Sequence, residues 1–307
     1  MFFFKKNAVP EWASVLNQKE YAAFISAVEQ YFKRRGGSFE LDDGIVRLAE
    51  NDWEFGLSNL VQMCAQVKPK EYGELVKGHF SLVEESRAFH DAVDFGNFEE
   101  MKQYLGVRLY DEGYATFMGD DTTVRRPFAG EVFAVLVYDF PHAVNNVTRE
   151  DVEKWGTPEE ELFALGIANI RRNYPLDLEK ISIGDDEVFV VETEHFFAPN
   201  ILLELEEHEE LVGKGGAIVA IPNRHLAIIY PICDWKVLST LGFFATSIPQ
   251  FYAQGPGSLT QEIYWYRDNQ YEPLNYEPGK QVKITPSEAF LALLDKELGE
   301  SNSSPGK

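Results

Sequence analysis

Apolar residues recur at three- and four-residue steps through the first third of the chain. A helix over residues 11–37 is indicated by eight of them: Trp12, Val15, Leu16, Tyr21, Phe24, Ile25, Val28 and Phe32. A basic last turn followed by Gly36-Gly37 predicts its end. Asp43-Gly44 between two short apolar runs predicts a hairpin. Helical spacing returns over residues 54–67, and residues 72–104 are predicted to be mostly helical.

After Leu105 the pattern favours strands. Residues 107–117 and 130–140 are predicted strands, and the second is almost continuously apolar, as is typical of a central strand. The polar segment between them, residues 118–127, is predicted to be a loop. Residues 147–175 have helical spacing, with Thr148 and Asp151 placed as in a capping box.

Helices and strand pairs alternate through the remaining residues. Two hairpins are predicted at residues 181–194 and 262–274, and a strand pair at 217–222 and 225–231 turns through Asn223-Arg224. Residues 198–213 and 285–298 are predicted helices. The small polar residues 299–307 are expected to lack fixed structure.

The segment Val237–Leu259 is almost uncharged and requires a choice between a membrane span and a buried helix. A span needs ~20 predominantly apolar residues, whereas this segment contains Pro249 and six polar residues: Ser239, Thr240, Thr246, Ser247, Gln250 and Gln254. We therefore expect a mostly buried helix that covers a sheet and ends at Gly255-Pro256-Gly257. The alternative is a kink at Pro249 that lines a ligand pocket.

This order of elements predicts the α+β class. Because tight turns join the strand pairs, antiparallel hairpins alternating with helices packed on the sheet fit better than a parallel sheet. We expect two domains. Residues 1–104 form a helix–hairpin–helix domain and residues 105–276 a second α+β domain, followed by a short helix and polar tail over 277–307.

Several motifs in the second half carry a family resemblance. AIVAIPNRHLAII and YRDNQYEPL occur within an ordered series of helices and strands over residues 148–276. This region resembles an uncharacterised bacterial family typified by YtpQ, domain of unknown function 1444. The resemblance implies a soluble bacterial protein with a fold of this kind and transfers no catalytic residue.

Charge narrows the classes of partner. The chain has 50 acidic and 28 basic residues, a net charge of −22, so nucleic acid and anionic membrane surfaces are not expected as partners. Between Arg149 and Glu210 acidic residues outnumber basic ones by more than three to one. This run is either a solvated face or a docking surface for a basic protein partner. Two cysteines and the lack of a secretory leader pattern predict a cytoplasmic protein.

Few residues are candidates for chemistry. Glu192, Glu194 and His195 at a predicted strand end are candidate catalytic residues, but Glu192 and Glu194 point one way and His195 the other unless the chain bends. His225 and Cys233 are separated by a strand of ~25 Å, which argues against a Cys–His pair and favours a buried structural Cys233. No metal site and no cofactor are predicted; a cation site at Asp120-Asp121 lacks further ligands.

Three hypotheses about function follow from these observations. The first is a non-catalytic cytosolic binding or adaptor protein that engages a protein partner through an acidic surface or a sheet–helix groove. The second is an enzyme of another type, such as a metal-dependent hydrolase using Glu192, Glu194 or His195. The third is a mimic of nucleic acid. The oligomeric state is not indicated.

Overall fold

A computed structural model of the 307-residue chain describes residues 9–36, 38–49, 53–119, 122–141, 143–184, 186–277 and 283–295. The chain divides into two compact units, residues 1–93 with 141–143 and residues 94–140 with 144–307. Helices and several antiparallel sheets confirm the predicted α+β class. The predicted two-domain division at residue 104 stays a prediction. The candidate loop pair Asp120-Asp121 and the polar tail lie outside the described residues.

The first unit packs helices against a small antiparallel sheet of order β1-β2-β3. Its elements are α1 (Gln18–Arg35), β1 (Phe39–Asp42), β2 (Ile45–Leu48), β3 (Trp53–Gly56), α2 (Ser58–Ala65) and α3 (Tyr72–His90). The predicted hairpin at Asp43-Gly44 is confirmed, with positive φ at both residues. The core includes Phe24, Phe32 and Phe80.

Two helix starts in this unit were predicted too early. α1 begins at Gln18 because the Asn17 side chain accepts hydrogen bonds from the next backbone N–H groups, and Glu11–Ala13 form only a 3₁₀ turn. The predicted helix over residues 54–67 begins at Ser58, because the residues before it pair with β2 as a third strand. Helical apolar spacing does not exclude such local pairing.

The first part of the second unit is a four-stranded antiparallel sheet. Its elements are α4 (Phe98–Met101), β4 (Leu105–Asp111), α5 (Glu112–Met118), β5 (Arg125–Ala129), β6 (Val132–Phe140) and β7 (Ala143–Asn146). The prediction that β6 is central is confirmed, since it pairs with the other three strands. The single strand predicted over residues 107–117 is wrong, because the Asp111 side chain accepts from the Tyr114 N–H and starts α5. Within the predicted loop 118–127, β5 begins at Arg125.

A six-stranded antiparallel sheet of order β13-β12-β10-β11-β9-β8 completes the second unit. This part of the unit contains α6 (Arg149–Trp155), α7 (Glu159–Asn173), β8 (Glu179–Ile183), β9 (Asp186–Glu192), β10 (Ala217–Asn223), β11 (Leu226–Pro231), α8 (Val237–Gln254), β12 (Tyr264–Arg267), β13 (Gln270–Pro273), β14 (Asn275–Glu277), β15 (Lys283–Thr285) and α9 (Glu288–Leu293). β14 and β15 pair with each other in a separate two-stranded sheet. The capping box of Thr148 and Asp151 is confirmed. The helix predicted over 198–213 is 3₁₀ rather than α, with non-helical backbone at Glu204.

The uncharged helix α8 is a buried helix of the second unit. Its inward residues Val237, Leu241, Phe244 and Ile248 are nearly inaccessible and belong to the same core as Ile218, Ala220 and Ile228 of the sheet. Its outward residues Ser239 and Gln250 are exposed. The prediction of a buried helix is confirmed, and none of the described helices has the length and apolarity to cross a membrane.

A close glycine contact fixes α7 against β4. A Cβ atom on Gly166 of α7 would lie 2.9 Å from the backbone carbonyl carbon of Gly106 in β4, and one on Gly106 would lie 2.8 Å from Ile170. Because the neighbour of Gly166 is backbone that cannot move aside, glycine at this position lets the helix approach the strand so closely. The strand held in this way carries Arg108, two residues further along.

Candidate functional site

Arg108 is a charged residue inside an otherwise apolar strand. Only 8% of it is exposed, and its Nε atom has no hydrogen-bond partner among the residues that the structure describes. Burying a guanidinium removes its hydration, which costs several kcal/mol unless an acceptor or an opposite charge replaces the water. The position therefore requires a compensating interaction.

Aromatic rings cover the faces of the Arg108 guanidinium. Its Cζ atom lies 4.7 Å from the centre of the Tyr110 ring and 5.2 Å from that of Phe196, which belongs to the loop after β9. Tyr110 in turn stacks on Tyr114 of α5 at 4.0 Å. Such cation–π contacts each contribute about 0.5–2 kcal/mol. They stabilise the flat faces of the cation and leave its Nε–H without an acceptor among the described residues.

Arg224 brings a second guanidinium to the same ring. It lies in the turn between β10 and β11, and its Cζ atom is 4.3 Å from the centre of Phe196. Its backbone N–H donates to the carbonyl of Gly257, where an added Cβ would lie 2.4 Å from Arg224 Cδ. Gly257 has a φ of 67°, so both its conformation and its missing side chain are needed there. The segment after α8 thus holds Arg224 over Phe196.

His225 is neutral near pH 7. Its Nδ1 lies 3.0 Å from the carbonyl oxygen of Thr193, and its Nε2 accepts a hydrogen bond from Arg224 Nε at 3.3 Å. Nδ1 therefore carries the proton and donates a hydrogen bond to this carbonyl. Burial, and then the charge of Arg224, lower the pKa of His225 to about 4. His225 orients Arg224 and adds no positive charge.

We call Arg108, Tyr110, Phe196, Arg224 and His225 the arginine–aromatic cluster. Its two guanidinium groups contact one ring and lie within about 10 Å of each other, roughly a Debye length in physiological salt. Burial, and then Arg108, lower the pKa of Arg224 to about 10. Guanidinium groups keep their positive charge in proteins, so two like charges lie near the same ring in a partly buried place.

The Asp139 carboxylate interacts electrostatically with Arg108 but is hydrogen-bonded to another residue. Asp139 of β6 forms a hydrogen bond with Tyr174, and burial raises the pKa of Asp139 although Arg108 lowers it. In the part of the chain that the structure describes, neither Arg108 nor Arg224 forms an ion pair with a carboxylate. More exposed arginines do form such pairs: Arg35, Arg47, Arg149, Arg171 and Arg267.

The cluster has the properties of an oxyanion site. Guanidinium N–H edges form paired, charge-assisted hydrogen bonds with carboxylate or phosphate oxygens. Here the faces of both guanidinium groups are covered by rings, while most N–H edges remain for an acceptor. Arg224 and Phe196 are half-buried, so a ligand has access from solvent. The arrangement can hold an anionic group.

The three predicted catalytic residues lie in different environments, two exposed and one half-buried. Glu192 and Glu194 are exposed, whereas the His195 ring is half-buried against Tyr174 at 4.8 Å and its Nδ1 accepts the Phe197 N–H. Burial lowers the pKa of His195. Over the described ranges, no group of three or more His, Cys, Asp or Glu side chains is placed to share a metal ion.

Cys233 also differs from its prediction. We expected a buried structural cysteine, but Cys233 is exposed just beyond the end of β11, whereas Cys64 of α2 is the buried thiol. Burial raises the pKa of Cys64 to about 12, which keeps it protonated. The strand between His225 and Cys233 is present as predicted.

A cavity elsewhere in the second unit is acidic. A cavity of about 540 Å³ lies beside Tyr252 near the end of α8; its lining does not include Pro249, so a pocket formed by a kink at Pro249 stays a prediction. Its lining includes four carboxylic acids: Asp111, Glu112, Glu131 and Glu262. The Tyr264 hydroxyl donates to Glu262 at 2.5 Å. The lining favours cationic groups and is opposite in charge to the arginine–aromatic cluster.

Arg108, Phe196 and Arg224 are not among the functional residues predicted from the sequence. One available signal was an arginine in the apolar run of β4, because charged residues are rarely buried without a partner. Another was the Arg224-His225 pair at a hairpin turn, where Gly, Asn or Asp is usual. The turn lies one residue beyond the predicted Asn223-Arg224, since the Asn223 side chain accepts from the His225 N–H.

Comparison with protein-family models, with curated proteins and with solved structures finds no match to this chain. The resemblance of residues 148–276 to the YtpQ-like family therefore stays a prediction. Functional inference depends on the geometry of the chain itself.

Proposed function

We propose that this chain is a cytosolic binding protein that holds the anionic group of a small ligand in its arginine–aromatic cluster. One observation carries the proposal: Arg108 and Arg224 are both placed on Phe196 without a carboxylate ion pair. The chain has 50 acidic residues from which a partner could have been drawn. A bound anion is the charge that this site lacks.

The ligand-free site is destabilised in a way that favours binding. Two like charges with reduced hydration repel each other, and an anion between them removes the repulsion and supplies hydrogen-bond acceptors. Because the surrounding rings already fix the guanidinium groups, little side-chain entropy is lost on binding. Positioned cations without a partner are therefore more readily explained by ligand binding than by stability of the fold.

The ligand is small rather than a polyanion. The net charge of −22 repels an extended phosphate backbone or an anionic membrane at long range, whereas a compact anion experiences mainly the two nearby guanidinium groups. We assign no bond-breaking step to the cluster, since His225 Nε2 already accepts from Arg224 and is not open as a general base.

Calorimetric titration with phenyl phosphate, phenyl sulfate and benzoate tests this function. We expect at least one of these probes to bind the wild-type protein. Arg224→Gln should weaken that binding about 30-fold or more, because removing one partner of a desolvated charge pair costs about 2–5 kcal/mol. Arg34→Gln removes the same charge from an exposed position of α1 and should leave affinity unchanged.

Two results would contradict the proposal. One is the absence of binding by all three probes at millimolar concentration. The other is equal affinity of the Arg224→Gln and Arg34→Gln variants for a probe that does bind, since binding would then occur outside the cluster.

Exposed carboxylates favour a second candidate function, docking of a basic protein partner. Glu159–Glu161 at the start of α7 are exposed, as are Glu206, Glu207, Glu209 and Glu210. Affinity capture from host extract should recover a basic partner at low salt and lose it as salt rises, because surface attraction is screened. Recovery of no such partner at low salt would contradict this candidate.

A further inference from the structure

We infer that the arginine–aromatic cluster selects the doubly charged phosphate group of a phosphate monoester with a flat apolar substituent. The inference rests on the proposed function, because it specifies which anion that site prefers. Singly charged carboxylates and sulfate esters are expected to bind more weakly. It follows from the charges, the hydrogen-bond donors and the rings of the site.

The positive charges of the two arginines favour a doubly charged anion. Arg108 and Arg224 contribute two positive charges, and His225, with a pKa of about 4, contributes none near neutral pH. Burial raises the pKa of Tyr110 to about 12, so this phenol is neutral as well. Asp139 acts on Arg108 from a distance while it is hydrogen-bonded to Tyr174. A dianion brings one negative charge for each guanidinium group, in addition to the Coulombic interaction of Asp139 with Arg108, whereas a monoanion brings only one.

The donors also favour a tetrahedral anion. Arg224 uses its Nε on His225, so its terminal amino groups remain for a ligand, whereas the Nε of Arg108 has no partner among the described residues. Arg108 lies in β4 and Arg224 in the β10–β11 turn, and both guanidinium groups contact the Phe196 ring. A phosphate ester presents three terminal oxygens, enough to engage two guanidinium groups, whereas a carboxylate presents two.

The half-exposed rings indicate what the phosphate is attached to. Phe196, which contacts both cations, and Tyr114, which stacks on Tyr110, are half-buried and leave apolar surface open to solvent. A flat apolar group on the phosphate ester can pack against such a ring, and aromatic pairs contribute about 0.5–1.5 kcal/mol beyond the area they bury. Inorganic phosphate lacks this contact.

Comparison of four probes at about pH 7.5 tests the selection, because phosphate monoesters with a second pKa of about 6 are then dianions. We expect phenyl phosphate to bind roughly tenfold or more tightly than phenyl sulfate, the same shape with one charge, or benzoate, in line with one further charge-assisted contact. It should also bind more tightly than inorganic phosphate. The advantage over phenyl sulfate should shrink as the pH is lowered to about 5 and the phosphate takes up a proton.

The acid titration is interpretable because the neighbouring groups are known. His225 stays uncharged above its pKa of about 4, and the pKa of Tyr174 is raised to about 12. Asp139, with a raised pKa, faces Arg108 and acts on all probes alike. His195 packs against Tyr174, and burial lowers its pKa. A pH effect confined to phenyl phosphate therefore reports on the ligand.

The outcomes separate the two proposals. Equal affinities for phenyl phosphate, phenyl sulfate and benzoate, all weakened by Arg224→Gln, would overturn the dianion selection and leave anion binding intact. Equal affinities for phenyl phosphate and inorganic phosphate would overturn the choice of an ester. Failure of every probe to bind would overturn both the selection and the proposed function.

Discussion

Arg108→Met is expected to stabilise the ligand-free protein and to abolish measurable binding of phenyl phosphate. Methionine has a similar length, fills the space between Tyr110 and Phe196, and needs no hydration. Replacing a buried charge by a packed apolar side chain is often neutral or stabilising by about 1–4 kcal/mol. Here the change also ends the repulsion of Arg224, whose pKa should rise from about 10.

Thermal unfolding with and without phenyl phosphate measures both effects. The ligand-free variant should unfold at a temperature several degrees above wild type, since 1 kcal/mol corresponds to about 2–4 °C for a unit of 150–250 residues. Phenyl phosphate should raise the midpoint of the wild type and leave that of the variant unchanged. Arg34→Met, at an exposed position, serves as the control and should change stability by less than about 0.5 kcal/mol.

A structural role for Arg108 would produce the opposite pattern. If the arginine stabilised the fold through its contacts with Tyr110 and Phe196, Arg108→Met would lower the midpoint. A variant that is less stable than wild type and still responds to phenyl phosphate would reject the functional assignment. At a ligand site, a residue that lowers the stability of the free protein while it supports binding is expected.

Phe244→Ala is expected to cost about 3–5 kcal/mol of the free energy of unfolding, the largest effect on stability that we predict. Phe244 has no exposed surface and lies at the middle of α8, in the core shared with the six-stranded sheet. Its removal leaves a cavity that neighbouring residues cannot fill. Because Phe244 does not contact the arginine–aromatic cluster directly, the folded variant should bind phenyl phosphate with wild-type affinity.

Chemical denaturation of two matched variants checks this assignment. Leu238→Ala alters the same helix at a side chain that is 49% exposed and should cost less than about 1 kcal/mol. Similar costs for Leu238→Ala and Phe244→Ala would mean that α8 does not cover the sheet with the face assigned to Phe244. A loss of affinity for phenyl phosphate in the folded Phe244→Ala variant would mean that the packing of α8 affects the arginine–aromatic cluster.

Elements with strong local signals could be predicted from the sequence. The hairpin at Asp43-Gly44 and that at Asp268-Asn269 use residues that accept positive φ, and both occur as expected. The burial of α8 followed from its apolar face and its lack of charge. These signals are contained within a few residues, so no knowledge of tertiary structure was needed to use them.

The site could not be assembled from local pattern, because its members are distant in sequence. Arg108, Phe196 and Arg224 come from a strand, a loop and a turn, and only the packing of β4 and the two turns of the larger sheet brings them together. The acidic composition also directed attention to the outer surface. Two partly buried arginines that form no ion pair among the described residues are more informative than the net charge of the chain.

A crystal structure of the complex with phenyl phosphate tests the central claim most directly. We expect the phosphate between Arg108 and Arg224, with its oxygens at about 2.7–2.9 Å from guanidinium nitrogens of both residues, and the phenyl ring against Phe196 or Tyr114. Phosphate bound at another place, in contact with neither arginine, would contradict the account and leave the buried cations as a feature of the fold.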